Sequence, residues 1–165
     1  MASLTLYDTA IIPMIRTLKH LSAILKRGEA HADEKGIDHS ELLEARIVAD
    51  MNLLPFQIQT ASNSAKFLAV RVAGVENIAF ADDEKTFADL QTRLTRTIEY
   101  LEAIDRKQFD GKETAEVVAF NRNFTGLSYV NDFALPNFFF HTVTAYDILR
   151  SKGVDIGKKD WLGIR

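Results

Sequence analysis

Four stretches of this sequence place apolar residues at steps of three and four, and that spacing constrains the fold more than any other feature. An α-helix brings such positions onto one stripe, and a stripe must be buried against something. In the first stretch Leu4, Tyr7, Ile11, Met14, Leu18, Leu21 and Leu25 follow one another without a miss. The spacing predicts a helix over residues 5–26, kinked or broken near its first turns by Pro13 and ended by Gly28 with the polar run behind it. In the second, Met51, Leu54, Ile58, Ala61, Ala65, Leu68 and Val72 predict a helix from position 51 or 52 to Gly74, with Pro55 in its first turn. Phe87, Leu90, Leu94, Ile98 and Leu101 predict a third over residues 86–104, after the acidic loop Asp82-Asp83-Glu84. The fourth runs from Pro136 to Gly153, a Pro-start and Gly-stop pair.

Two shorter features lie between these stretches. Asp38-His39-Ser40-Glu41 has the spacing of an N-cap with a capping-box glutamate and predicts a short helix through Arg46. Residues 116–120 and 124–130, rich in Val, Phe and Tyr around Asn121-Arg122-Asn123, predict a β-hairpin. The fold class is therefore all-α: an antiparallel four-helix bundle with a short β-hairpin before the last helix. No repeat or linker divides the chain, so one domain is expected over residues 1–165.

Composition removes several functions. With no cysteine the chain has no disulfide, no thiolate metal ligand and no cysteine nucleophile. A formal charge of -3 argues against general nucleic-acid binding, which needs a basic face for phosphates. No apolar run approaches the roughly 20 residues that span a bilayer, so no membrane partner is expected. The first eight residues lack a charged segment followed by an apolar one, which makes the cytoplasm the expected compartment.

Among residues that carry chemistry, His141 stands out. Helical spacing puts it on one stripe with Phe138, Ala145 and Ile148, while Leu135, Phe139, Thr142, Tyr146 and Leu149 form a neighbouring stripe. It points into the bundle, either as a neutral core histidine bonded to another helix or as a pocket residue or metal ligand. Asp50 and Gln57, seven positions apart, share one edge of the second helix, and Tyr146 supplies a hydroxyl. These four are the candidate ligand-pocket residues. Asp50 has a simpler role open to it, as an acid at a helix N-terminus. His20, His31 and His39 read as solvated. Phe140 falls on the otherwise polar side with Asn137, Thr144, Asp147 and Ser151, so the hairpin, the C-terminal tail or a second subunit must cover it.

The segments Ala45-Arg46-Ile47-Val48-Ala49-Asp50-Met51 with Gln57-Ile58-Gln59, Phe133-Ala134-Leu135-Pro136-Asn137-Phe138-Phe139-Phe140-His141, Thr144-Ala145-Tyr146-Asp147-Ile148-Leu149-Arg150 and Gly157-Lys158-Lys159-Asp160-Trp161-Leu162-Gly163 resemble an uncharacterised bacterial family. It is the domain-of-unknown-function family DUF1993, of the DinB-like superfamily, and the likeness covers nearly the whole chain. The resemblance implies an up-down-down-up four-helix bundle, often dimeric. In the superfamily, one histidine on the second helix and two spaced by four on the last hold a divalent metal. Some relatives use it for thiol-dependent transfer or isomerisation. Only His141 matches: Ala145 stands at the next ligand position, and the second helix offers Asp50 and Gln57 instead of histidine. The three-histidine site is absent as written, which leaves a mixed metal site of His141, Asp50 and water, or a metal-free pocket.

Three functions follow as expectations. One is a ligand-binding bundle with its pocket at His141, Asp50, Gln57 and Tyr146. The second is a DinB-like metal-dependent transferase, hydrolase or isomerase. The third is a protein-interaction module built on the aromatic C-terminal third, where six phenylalanines lie between Phe120 and Phe140. A homodimer and a small-molecule ligand are the expected partners.

Overall fold

Each amphipathic helix has more apolar surface than one neighbour covers, and here four helices close on one another in a ring. The computed structural model describes residues 4–164; Met1, Ala2 and Ser3, which entered the leader reading, lie outside it, as does Arg165. The chain enters through a π-helical turn, Tyr7–Ile11, into α1 (Ile12–Lys35), followed by the short α2 (Ser40–Leu43). Then come α3 (Leu54–Leu68), ending in a π-helical Ala69–Ala73, and α4 (Phe87–Glu102). A hairpin of β1 (Glu116–Ala119) and β2 (Arg122–Thr125) precedes α5 (Gly126–Ser128). That turn continues through a π-helical Tyr129–Ala134 into α6 (Leu135–Ser151), and α7 (Lys158–Leu162) packs back on α1.

The side-chain bonds between helices give their directions. Gln57 meets His141 and Ser64 meets Asn137, so α3 and α6 are antiparallel. Lys19 meets Glu102 and Ser22 meets Gln91, so α1 and α4 are antiparallel too. Ser62 meets Thr97 and the Gln59 carbonyl meets Arg93, which makes α3 and α4 parallel. The bundle is thus up-down-down-up. A uniformly antiparallel arrangement is ruled out by the extended passage over residues 74–86, which returns the chain to the end where α3 began.

That passage is fixed by buried cations. Arg93, 1% exposed, holds Asp82 at 2.6 Å and Glu84 at 2.7 Å through Nη1. Its guanidinium also lies 4.4 Å from the Phe80 ring centroid. Lys66 donates to the Ile78 carbonyl at 3.0 Å, and Tyr100 to that of Glu76 at 2.7 Å. Inside the ring, Met14, Leu18 and Leu21 of α1, Ile58 and Leu68 of α3, Leu90 and Leu94 of α4, and Phe138 and Ile148 of α6 belong to one continuous apolar core.

Element ends depart from the periodicity for local reasons. Each of the three prolines sits in the first two positions of an α-helical segment. Ahead of Pro13 the Ile12 N–H reaches back to the Tyr7 carbonyl, and ahead of Pro136 the Leu135 N–H reaches the Val130 carbonyl. The expected kink is therefore taken up as wider π-helical bonding. Helix α1 runs on to Lys35 instead of ending at Gly28, because that glycine is buried where Leu149 and Phe87 press on its backbone. Helix α2 stops at Leu43, not Arg46, and α3 starts only at Leu54 after an extended Leu53. The second hairpin strand ends at Thr125: Thr125 and Ser128 form a capping box that turns residues 126–128 into helix.

Candidate functional site

The seam between α3 and α6 carries the polar groups that periodicity pointed toward the core. His141 is 9% exposed, and its Nδ1 lies 2.7 Å from Gln57 Oε1. Gln57 Nε2 donates to the Asn52 carbonyl at 2.9 Å, from the extended residues leading into α3. A backbone carbonyl only accepts, so the amide's NH₂ end must face Asn52 and its oxygen must face the ring. The ring nitrogen there must donate, which fixes His141 as the Nδ1–H tautomer with its lone pair on Nε2. Burial pushes the imidazole below its ordinary pKa, in favour of the same neutral form.

Nε2 forms no hydrogen bond with a described residue. Among the described residues, the buried side-chain nitrogens and oxygens without a partner are Arg93 Nε and Trp161 Nε1. His141 Nε2 is not one of them, so it reaches solvent. Two phenylalanine rings meet the imidazole ring edge to face, Phe56 with centroids 5.9 Å apart and Phe140 at 5.1 Å. Further along the seam Asn137 donates to Ser64 Oγ at 2.7 Å.

Of the four candidate residues, the structure brings together His141 and Gln57. Asp50 is not at a helix N-terminus. It stands exposed in the turn over residues 47–50, within a loop closed by the Leu54 N–H on the Ala45 carbonyl at 3.1 Å. It makes no hydrogen bond or ion pair with a described residue. Tyr146, half-buried, packs against the core and forms no hydrogen bond to His141. The three histidines read as solvated are half-buried instead. His20 Nδ1 lies 3.1 Å from the Trp161 carbonyl where α7 folds over α1, and His39 Nε2 lies 2.9 Å from Asp33 Oδ1, while His31 has no such partner among the described residues.

The donor set does not fit the superfamily's metal. His141 brings a single free ring nitrogen, Ala145 occupies the next turn, and no cluster of three His, Cys, Asp or Glu side chains suited to a cation forms among the described residues. The flanking rings were legible only in part. Phe140 was conspicuous on a polar face, and it is indeed uncovered by the described chain at 56% exposed. Phe56 left no sequence signal, because its position beside His141 depends on the register of α3 against α6.

The family model described as a domain of unknown function, DUF1993, matches residues 6–162. A crystal structure of a DinB family member protein from Shewanella denitrificans is similar at 36% identity with a TM-score of 0.92. The match covers 96% of this chain and 92% of that one. No curated protein gives a significant match.

Proposed function

The chain belongs to the DUF1993 family, a DinB-like family with no assigned function, and from that premise we propose that it is a small-molecule-binding bundle whose ligand is recognised by His141. One observation carries the reading: an imidazole whose Nδ1–H is held by Gln57 and whose Nε2 reaches solvent, with the rings of Phe56 and Phe140 set edge to face against it. That arrangement suits a ligand with one hydrogen-bond donor for Nε2 and an apolar body for the two rings. No described hydroxyl, amine or carboxylate is bonded to Nε2, so a recognition group fits the geometry better than an assembled nucleophile and base. Phenol is a suitable probe, since it pairs an O–H with a flat apolar ring. Titrated against the protein, it should move the His141 Nε2 resonance and the Phe56 and Phe140 ring resonances saturably, and His141→Phe should abolish the shifts at Phe56 and Phe140 while keeping a ring in place. An unmoved Nε2 resonance would refute the reading.

A second reading is favoured by the exposure of Phe140 at 56%, Phe56 at 40% and Val48 at 51%. Such surface is the material of an interface, and a second copy of the chain would cover it. Sedimentation equilibrium should then find a dimer that Phe140→Asp converts to monomer; a monomeric wild-type chain would remove this reading. No described helix is long and apolar enough to cross a membrane. The cytoplasm is the compartment we propose, to be checked by fractionation.

A further inference from the structure

Beyond Asn137 the α3–α6 seam opens into a cavity of about 180 Å³. Phe67 and Arg71 from the end of α3, Phe120 from the hairpin tip, Tyr129 and Phe133 from the π-helical segment, and Asn137 all line it. Arg71 is half-buried. Its guanidinium carbon lies 4.8 Å from the Phe67 ring centroid, 4.9 Å from that of Phe120 and 5.7 Å from that of Tyr129. Nη1 donates to Tyr129 Oη at 2.7 Å. A phenol is a neutral acceptor, so this bond leaves the positive charge unmatched.

Arg71 forms no ion pair with a described residue, and its Nε and Nη2 have no hydrogen-bond partner there. Arg27, Arg93 and Arg106 carry ion pairs, with Asp160 at 2.5 Å, Asp82 at 2.6 Å and Asp8 at 2.6 Å. Among the described residues Arg71 shares its unpaired state with Arg16, Arg46, Arg96, Arg122 and Arg150, and differs in being held among aromatic rings at a cavity. Asn137, anchored through its NH₂ to Ser64, has an Oδ1 that accepts no hydrogen bond from a described residue. The hairpin tip gives the outer wall. Phe120 and Asn121 adopt φ of 54° and 57°, a conformation a bulky residue rarely takes, and the Phe120 ring is brought to 4.7 Å from that of Phe133.

We propose that this cavity binds a small organic anion, a carboxylate carried on a flat single-ring body. The free edge of Arg71 takes the carboxylate as a two-toothed fork, which a guanidinium matches in geometry as well as charge. The ring lies among Phe67, Phe120 and Phe133, and Asn137 Oδ1 accepts from a polar substituent at the far end. The aromatic walls select against a bare inorganic anion, which has no apolar body to lay against them. The site is separate from His141 and does not rest on the reading given for that residue.

The test is a ¹H–¹⁵N NMR titration of the full chain with sodium benzoate, with benzamide and inorganic phosphate as controls. Benzoate should move the Arg71 Nε–H and Asn137 side-chain resonances saturably and leave the His141 Nε2 resonance in place. It should bind roughly tenfold or more tightly than benzamide, the difference expected for hydrogen bonds to a charged group. Arg71→Gln should erase that preference, and if this variant does not fold, the wild-type comparison decides alone. Benzoate that binds no better than benzamide, phosphate that binds as well as benzoate, or no saturable shift at these residues would each overturn the proposal.

Discussion

Gln57 determines what His141 can be. Because the Asn52 carbonyl orients the amide, Gln57 presents only an acceptor to the ring and fixes a proton on Nδ1, while burial favours the neutral form. Gln57→Ala removes that acceptor and strands a buried N–H, which should lower stability by about 1–3 kcal/mol in urea denaturation. A sign also follows for pH. Burial lowers the His141 pKa in the folded state, so the unfolded chain binds the proton more readily. The stability associated with the neutral ring is complete above the ordinary histidine pKa of about 6.5 and is lost as pH falls through the folded value. Gln57→Glu reverses this: a carboxylate on Nδ1–H favours imidazolium and raises the pKa, so this residue's contribution should instead fade as pH rises. Melting curves between pH 5 and pH 8 on both proteins check it.

At the level of elements, the parallel pair α3 and α4 depends on the passage over residues 74–86, and that passage depends on Arg93. Removing the guanidinium leaves Glu84 half-buried without its cation, so Arg93→Ala should cost about 3–5 kcal/mol. Hydrogen exchange in residues 75–86 should rise ahead of global unfolding. Gly126 matters as much at the hairpin's exit, since a Cβ there would lie 2.0 Å from the Lys112 carbonyl oxygen. Backbone cannot yield as a side chain can, and Gly126→Ala should destabilise the chain by more than the roughly 1 kcal/mol typical of point substitutions. The four helices were legible because their stripes are continuous over several turns. Their ends were less so. Gly28 reads as a stop until Leu149 is seen to press on it, and residues 126–130 read as strand because Val and Tyr favour strands, yet the Thr125–Ser128 capping box decides for helix.

For the whole molecule, the directions of the helices follow from where each connection returns the chain, which the stripes do not encode. The extended passage over residues 74–86 brings the chain back to the end where α3 began, so α3 and α4 run parallel, while the antiparallel pairs α1–α4 and α3–α6 join helices that do not follow one another in the chain. Half of the candidate site was legible. His141 and Gln57 both lie on core-facing stripes, and the bundle brings such stripes together. Asp50 was misplaced by assuming that α3 begins where its periodicity begins, and Tyr146, on the stripe beside that of His141, packs against the core without a hydrogen bond to it. The Arg71 cavity left no sequence pattern, since its walls come from α3, the hairpin and the π-helical segment, which only the assembled fold makes neighbours.

The most direct test of the account is the long-range ¹H–¹⁵N spectrum of the His141 ring, followed through a pH titration. The account predicts a neutral ring protonated on Nδ1, a bare Nε2, and a pKa below 6.5. A ring protonated on Nε2, or a pKa above the ordinary histidine value, would contradict it and with it the site built on His141.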